Sequence, residues 1–237
     1  MGKVYKKLLF DLDNTLVDDD ENRKYAITKI LLERKEKVSD EIVNKFIEFD
    51  NKYWKDRSEG KIKDPYEFKT KEEKIEWVRA ERFVRFLNIP LIEAIKINNK
   101  YINYLKENIV PIKNSEEILK YLYEKEYEIY IVTNGPIIVI NDKLTKINAQ
   151  KYIKNIFSAE EVGHAKPSKE YFEGFFKKIK NSQTEKMLII GDELEKDILG
   201  GIKNGIDTCW FNSKKKSNNN YKVNYEINEL IELKNIL

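Results

Sequence analysis

The residues of this chain that could do chemistry stand where short apolar runs stop. Val4 to Phe10 runs into Asp11-Leu12-Asp13-Asn14-Thr15, Ile129 to Val132 into Thr133-Asn134-Gly135, and Met187 to Ile190 into Gly191-Asp192, with Asp197 a little further on. Lys166-Pro167 precedes another helical pattern. In sheets made of alternating strands and helices, ligands collect beyond the carboxyl ends of the strands. Carboxylates, a hydroxyl and a lysine are therefore expected to converge. His164 is the sole histidine, which excludes a multi-histidine zinc site. It also excludes the usual serine or cysteine nucleophile with a histidine base, unless that one residue serves. Hydrolytic chemistry has to rest on carboxylates and lysine.

These groups need elements to hold them. The three apolar runs read as buried parallel strands. Helical patterns separate the later ones: Ile118, Leu119 and Leu122 share a face, as do Tyr171, Phe172, Phe175, Phe176 and Ile179, and then Leu194, Ile198, Leu199 and Ile202. Asp207 to Phe211, after the helix-ending pair Asn204-Gly205, reads as a further strand, and Asn212 to Asn220 as a low-complexity loop. The alternation predicts an α/β fold, a doubly wound, mostly parallel Rossmann-like sheet. The stretch from Val17 to Asn108 lacks strand runs and is rich in Lys, Glu, Ile and Leu, so an inserted α-helical domain is expected over 17–108, between core segments 1–16 and 109–237. Inside it, Arg79, Arg82 and Arg85 recur at helical spacing beside Glu76 and Glu81 and read as a solvated helix face.

Composition narrows the class. The 237 residues are 41% hydrophobic, enough for a sizeable core, and 44 basic residues against 41 acidic ones leave a net charge of only +3. Six of the basic residues are Arg, so a nucleic-acid polymer is not expected as a partner. The lone Cys209 cannot form an intramolecular disulfide, and the cytoplasm is the expected location. The basic opening leads into an apolar run too short for a signal peptide. The apolar stretch from Ile129 to Ile140 is broken by Thr133, Asn134 and Gly135, short of the ~20 residues of a membrane helix. No membrane partner is expected.

The ordered set Asp11-Leu12-Asp13-Asn14-Thr15, Thr133, Lys166 and Gly191-Asp192 with Asp197 resembles the haloacid dehalogenase (HAD) superfamily, and the helical segment after the first motif resembles its inserted cap. Glu161-Val162-Gly163-His164-Ala165-Lys166-Pro167, Asp197-Ile198-Leu199-Gly200-Gly201-Ile202 and Thr208-Cys209-Trp210 resemble the pyrimidine 5'-nucleotidase branch. Glu193 departs from the commoner Gly-Asp-Ser or Gly-Asp-Thr form.

The resemblance implies a phosphatase in which Asp11 attacks phosphorus and forms an aspartyl-phosphate. Two unit charges ~4 Å apart repel by roughly 4 kcal/mol at an effective dielectric of 20, so an anionic nucleophile meeting a phosphate dianion needs a cation. Mg²⁺ is the implied cofactor, held by Asp11, Asp192 and the main-chain carbonyl of Asp13. The Asp13 carboxyl would protonate the leaving oxygen and then deprotonate water. Thr133 and the Asn134 amide would bind the phosphoryl group, Lys166 would add charge, and Asp197 would hold a metal-bound water or orient Lys166. Trp54 and Arg57 fall in a segment that resembles a substrate-facing part of the cap.

The implied partner is a small phosphomonoester, a pyrimidine nucleoside 5'-monophosphate, with the chain a monomer or homodimer. Phosphoglycolate or sugar-phosphate hydrolysis, a phosphomutase, and a metal-binding regulatory module without turnover are the alternatives. Asp13 argues against dehalogenation, which needs no general acid at that position.

Overall fold

The structure, a computed structural model, describes residues 5–179, 183–218 and 220–237; Val4, the expected start of the first strand, and Asn219, in the expected loop, lie outside them. Consecutive Leu, Ile and Val are accommodated where both faces of a strand are covered, and the apolar runs become the middle of a sheet. The strands are β1 (Lys7–Phe10), β2 (Glu128–Thr133), β3 (Ile153–Ser158), β4 (Met187–Gly191), β5 (Asp207–Phe211) and β6 (Tyr225–Ile227). Their order is β3-β2-β1-β4-β5-β6, with every neighbouring pair parallel. Leu8 faces Ile129 on one side and Leu188 on the other, and Phe10 faces Ile131 and Ile190. The chain winds outward from β1 to β3, then crosses back to β4, so the sheet's switch point adjoins β1, and ligands of open α/β sheets bind there.

β3 and β6 have no counterpart among the expected strands. Both are edges, where one side of the ladder is free and polar residues such as Lys154, Asn155 and Glu226 are tolerated.

By its contacts the chain forms two compact units, Met1–Asp19 with Val110–Leu237, and Asp20–Ile109. The second is built on α1 (Asp19–Glu33), α2 (Asp40–Ser58), α3 (Lys71–Leu87) and α4 (Leu91–Glu107). Ser39 and Thr70 cap α2 and α3 by accepting from the backbone N–H of Ile42 and Glu73. The rings of Phe46, Phe83 and Tyr101 meet with centroids 5.3–5.8 Å apart. Arg82 corrects the expected solvated face. It is buried, its guanidinium donates to Asp50 Oδ1 at 2.9 Å and it lies 4.8 Å from the ring centres of Phe83 and Tyr101. Asp50, equally buried, also accepts from Arg23 at 3.0 Å. At the end of the series Arg85 behaves as expected, half exposed beside Glu81.

The sheet unit carries α5 (Ser115–Glu124), α6 (Ile137–Lys146), α7 (Ala159–Val162), α8 (Lys169–Lys178) and α9 (Leu199–Lys203). Residues Leu194–Ile198, expected as the start of the last helix, form a wider π-type turn ahead of α9. Phe175 on α8 packs edge-on against Phe157 of β3, centroids 4.7 Å apart, and against Tyr130 of β2 at 5.9 Å. The Tyr171 hydroxyl donates to the Phe157 carbonyl at 2.7 Å. This wedge locks the strand that ends in Thr133.

Candidate active site

The carboxyl ends of β1, β2 and β4 bring the predicted residues together. The backbone N–H of Asp11 donates to Ile190 O at 2.8 Å, extending the β1–β4 ladder one residue past β1. The chain then turns at once: Leu12 O accepts from Leu16 and Val17, and Asn14 takes a left-handed φ of 60°, which asparagine tolerates better than most residues. That turn holds Asp11 and Asp13 beside the sheet end. Thr15 closes it by donating its hydroxyl to Asp11 Oδ2 at 3.3 Å.

Lys166 is the hub. Its side chain is 1% exposed, and Nζ donates to Asp11 Oδ1 at 2.7 Å, Asp197 Oδ1 at 2.6 Å and the Val132 carbonyl at 2.6 Å. Asn134 fixes the backbone of this lysine: its Nδ2 donates to Lys166 O at 2.9 Å and its Oδ1 accepts from Lys166 N at 2.8 Å. That leaves the main-chain N–H of Asn134 and its second Nδ2 proton to meet a ligand. Thr133, fully buried, accepts from Gly135 N at 2.9 Å and keeps its hydroxyl proton to donate.

Two glycines admit carboxylates that any side chain would exclude. A Cβ on Gly135 would collide with Asp13 Oδ2, and one on Gly191 with the Asp197 carboxylate. Asp197 uses both oxygens, Oδ1 on Lys166 and Oδ2 on the Glu193 N–H at 3.1 Å. Asp192 differs: its Oδ1 is buried and meets no donor among the described residues. One oxygen from each of Asp11, Asp192 and Asp197 lies within 4.8 Å of the others. A buried orphan oxygen with a carboxylate beside it suits a hard divalent cation, so Asp192 and Asp11 fit Mg²⁺ as direct ligands, with Asp197, both oxygens engaged, next to them. Asp192 also borders a hollow shared with Asn14, Phe211, Lys214 and Lys216.

The electrostatics follow. Burial, with the Asp11 and Asp197 carboxylates, raises the pKa of Asp192 to about 9. Burial raises that of Asp11 to about 6 against the opposing pull of Lys166. Asp13 likewise rises to about 6, by burial against the pull of Lys143, with Asp19 and Asp11 adding to the rise. Burial alone would lower Lys166, but Asp11 and Asp197 overcome it and raise the pKa above the ordinary lysine range.

One residue of this cluster was not expected. Lys143 of α6 is buried and its Nζ contacts Asp13 Oδ1 and, at 2.7 Å, Asp19 Oδ1. The signal was available: Val139, Ile140, Lys143 and Leu144 form the buried stripe of α6, continued by Ile147 just past its end, and a lysine on an apolar stripe needs a partner.

Trp54 and Arg57 lie in the helical unit. Trp54 is 38% exposed, with Nε1 donating to Asp50 Oδ1 at 3.1 Å and the Arg82 guanidinium 5.6 Å from its ring centre. Arg57 is committed to Asp64 at 2.6 Å and lies over Trp77 at 5.7 Å. His164 is exposed.

A parallel sheet with Asp11, Lys166, Asp192 and Asp197 at the ends of its central strands is the architecture of a hydrolase family, and the chain belongs to it: residues 8–211 match the haloacid dehalogenase-like hydrolases. The HAD-hydrolase YfnB of Bacillus subtilis is 32% identical over 238 residues, covering 99% of this chain and 96% of the relative. Its magnesium-bound crystal structure matches with a TM-score of 0.85 over 99% of both chains. The pyrimidine 5'-nucleotidase PynA of Streptococcus pneumoniae is 31% identical over 242 residues, 98% of this chain and 97% of the relative. The pyrimidine 5'-nucleotidase YjjG of Escherichia coli is 33% identical over 135 residues, 57% of this chain and 58% of the relative. No helix among the described residues is long and apolar enough to cross a membrane.

Proposed function

We propose that this hydrolase is a Mg²⁺-dependent phosphatase of pyrimidine nucleoside 5'-monophosphates working through a phosphorylated Asp11. The observation that carries the reading is the Asp11 carboxylate, held by Lys166 and Thr15 beside the orphan oxygen of Asp192, with Asp13 two residues on. Asp11 forms the bond to phosphorus while Asp13 gives its proton to the leaving nucleoside oxygen; Asp13 then takes a proton from the water that releases phosphate. The Thr133 hydroxyl and the Asn134 main-chain N–H hold the phosphoryl oxygens, while Lys166, its three protons engaged by Asp11, Asp197 and the Val132 carbonyl, adds positive charge beside them. Asp197 orients Lys166 and keeps the turn after Gly191 in place. Mg²⁺, when held by Asp11, Asp192 and the Asp13 main-chain carbonyl, supplies the positive charge that offsets repulsion between the anionic nucleophile and the phosphate.

The nucleotide preference is supported by the similarity to PynA and YjjG, both pyrimidine 5'-nucleotidases. We assign selection to the helical unit as a cap, and within it to Trp54, whose partly exposed ring offers a stacking surface for a base. Arg57, tied to Asp64, contributes by bracing the segment after α2. The test is kcat/KM over uridine, cytidine and thymidine 5'-monophosphates against phosphoglycolate and glucose phosphates. Higher values for the nucleotides are expected. A preference for phosphoglycolate or a sugar phosphate overturns the nucleotidase reading and leaves the phosphatase reading standing.

A further inference from the structure

Lys143 has no task in the reaction just described, yet its position is costly. Its side chain is 1% exposed, and withdrawing an ammonium from water is repaid only by close partners of opposite charge. The partners are Asp13 Oδ1 and Asp19 Oδ1. The contact divides the Asp13 carboxyl into two unlike oxygens. Oδ1 is occupied by Lys143, whereas Oδ2 accepts no hydrogen bond among the described residues. The Asp13 side chain is 22% exposed, and Oδ2 lies over Gly135, whose missing Cβ leaves room for it. With Oδ1 taken by the ammonium, Oδ2 is the oxygen of this carboxyl left to meet a ligand.

We propose that Lys143 is the positioning residue for proton transfer: by pinning Asp13 through Oδ1, with Asp19 fixing the ammonium from the other side, it commits Oδ2 to the exchange with leaving group and water. This rests on the reading of Asp13 as acid and base. In the first displacement an Asp11 oxygen bonds phosphorus, the bond from phosphorus to the leaving oxygen breaks, and the Oδ2 proton passes to that oxygen. In the second, Oδ2 takes a proton from water as the water oxygen bonds phosphorus and the Asp11 oxygen departs. Lys143 remains an ammonium throughout and touches neither substrate nor water.

A merely structural ion pair would weaken every substrate alike; a positioning residue sorts them by leaving group. Nitrophenolate departs without a proton, whereas a nucleoside alkoxide needs one. Single turnovers with enzyme in excess therefore compare uridine 5'-monophosphate with para-nitrophenyl phosphate in K143M and K143R. For K143M, nucleoside release is expected to slow by roughly 100-fold or more, the scale of general acid catalysis, while nitrophenolate release stays within about three-fold of wild type and KM for the nucleotide changes little. K143R, which restores the charge, should recover most of the loss. Equal slowing of both substrates, or an unchanged nucleotide rate, overturns the proposal. If K143M does not fold, K143Q is read in the same way. In Asp11→Asn both releases should vanish; survival of either contradicts the nucleophile, a failure separate from that of Lys143.

Discussion

Three carboxylates and one ammonium share a few ångströms at the end of β1, and the oxygens of Asp11, Asp192 and Asp197 are not equivalent. Those of Asp197 are both engaged, by Lys166 and by the Glu193 N–H, whereas Asp192 keeps a buried oxygen without a donor among the described residues. Asp192→Ala should therefore raise the Mg²⁺ concentration needed for half-maximal activity by at least about ten-fold, the scale of losing a metal-site partner. Asp197→Ala should lower kcat without rescue by excess Mg²⁺, because it releases Lys166. Identical metal titrations for the two variants would contradict the assignment. The raised carboxyls also make metal-free stability depend on pH. With Asp11 and Asp13 at about 6 and Asp192 at about 9, these three groups bind more protons in the native state than in the unfolded chain from about pH 4 to 9. Their contribution to stability falls as pH rises through that window. A divalent cation takes the place of those protons, so the Tm gained on adding Mg²⁺ should be larger at pH ~8 than at pH ~5. Equal gains would contradict the site. His164→Ala should leave activity within about three-fold of wild type, since no step needs an imidazole.

At the scale of elements, turns hold the site in the sheet unit and an ion-pair network holds the helical unit. Gly135→Ala pushes a methyl into Asp13 Oδ2, so kcat should fall while the Mg²⁺ requirement holds. In the helical unit, Asp50→Ala leaves buried Arg82 without a carboxylate among the described residues. Breaking such a pair costs ~3 kcal/mol or more, and at 2–4 °C per kcal/mol for a chain of this size a Tm lowered by about 6–12 °C is expected, read by thermal melting. A fall of under about 2 °C would mean that Arg82 finds another partner. The sequence made the central strands legible because a parallel strand covered on both faces is a continuous apolar run that ends abruptly in polar residues. The residues now gathered around Lys166 stand at those ends. β3 and β6 were not legible, since an edge strand tolerates Lys154, Asn155 and Glu226. Arg82 and Lys143 were misread or passed over for a shared reason. Each is a cation on a helix whose neutralising carboxylate comes from a segment distant in sequence, Asp50 in one case and Asp13 in the other.

For the molecule as a whole, the proposed function gives the sheet unit a chemistry that any phosphomonoester would satisfy and assigns discrimination to the helical unit. Trp54→Ala should narrow the preference for pyrimidine nucleotides over para-nitrophenyl phosphate, on the scale of ~1–3 kcal/mol that base stacking contributes in nucleic-acid-binding proteins. An equal loss on every substrate would show that Trp54 acts through its bond to Asp50 instead. The account stands or falls on the covalent step at Asp11. Rapid quenching of the enzyme during turnover of a nucleotide radiolabelled in its phosphate, followed by peptide mapping, tests it most directly. The label is expected on the peptide carrying Asp11, dependent on Mg²⁺ and absent from Asp11→Asn. Full-rate phosphate release by Asp11→Asn, with no label on that peptide in the wild type, would contradict it.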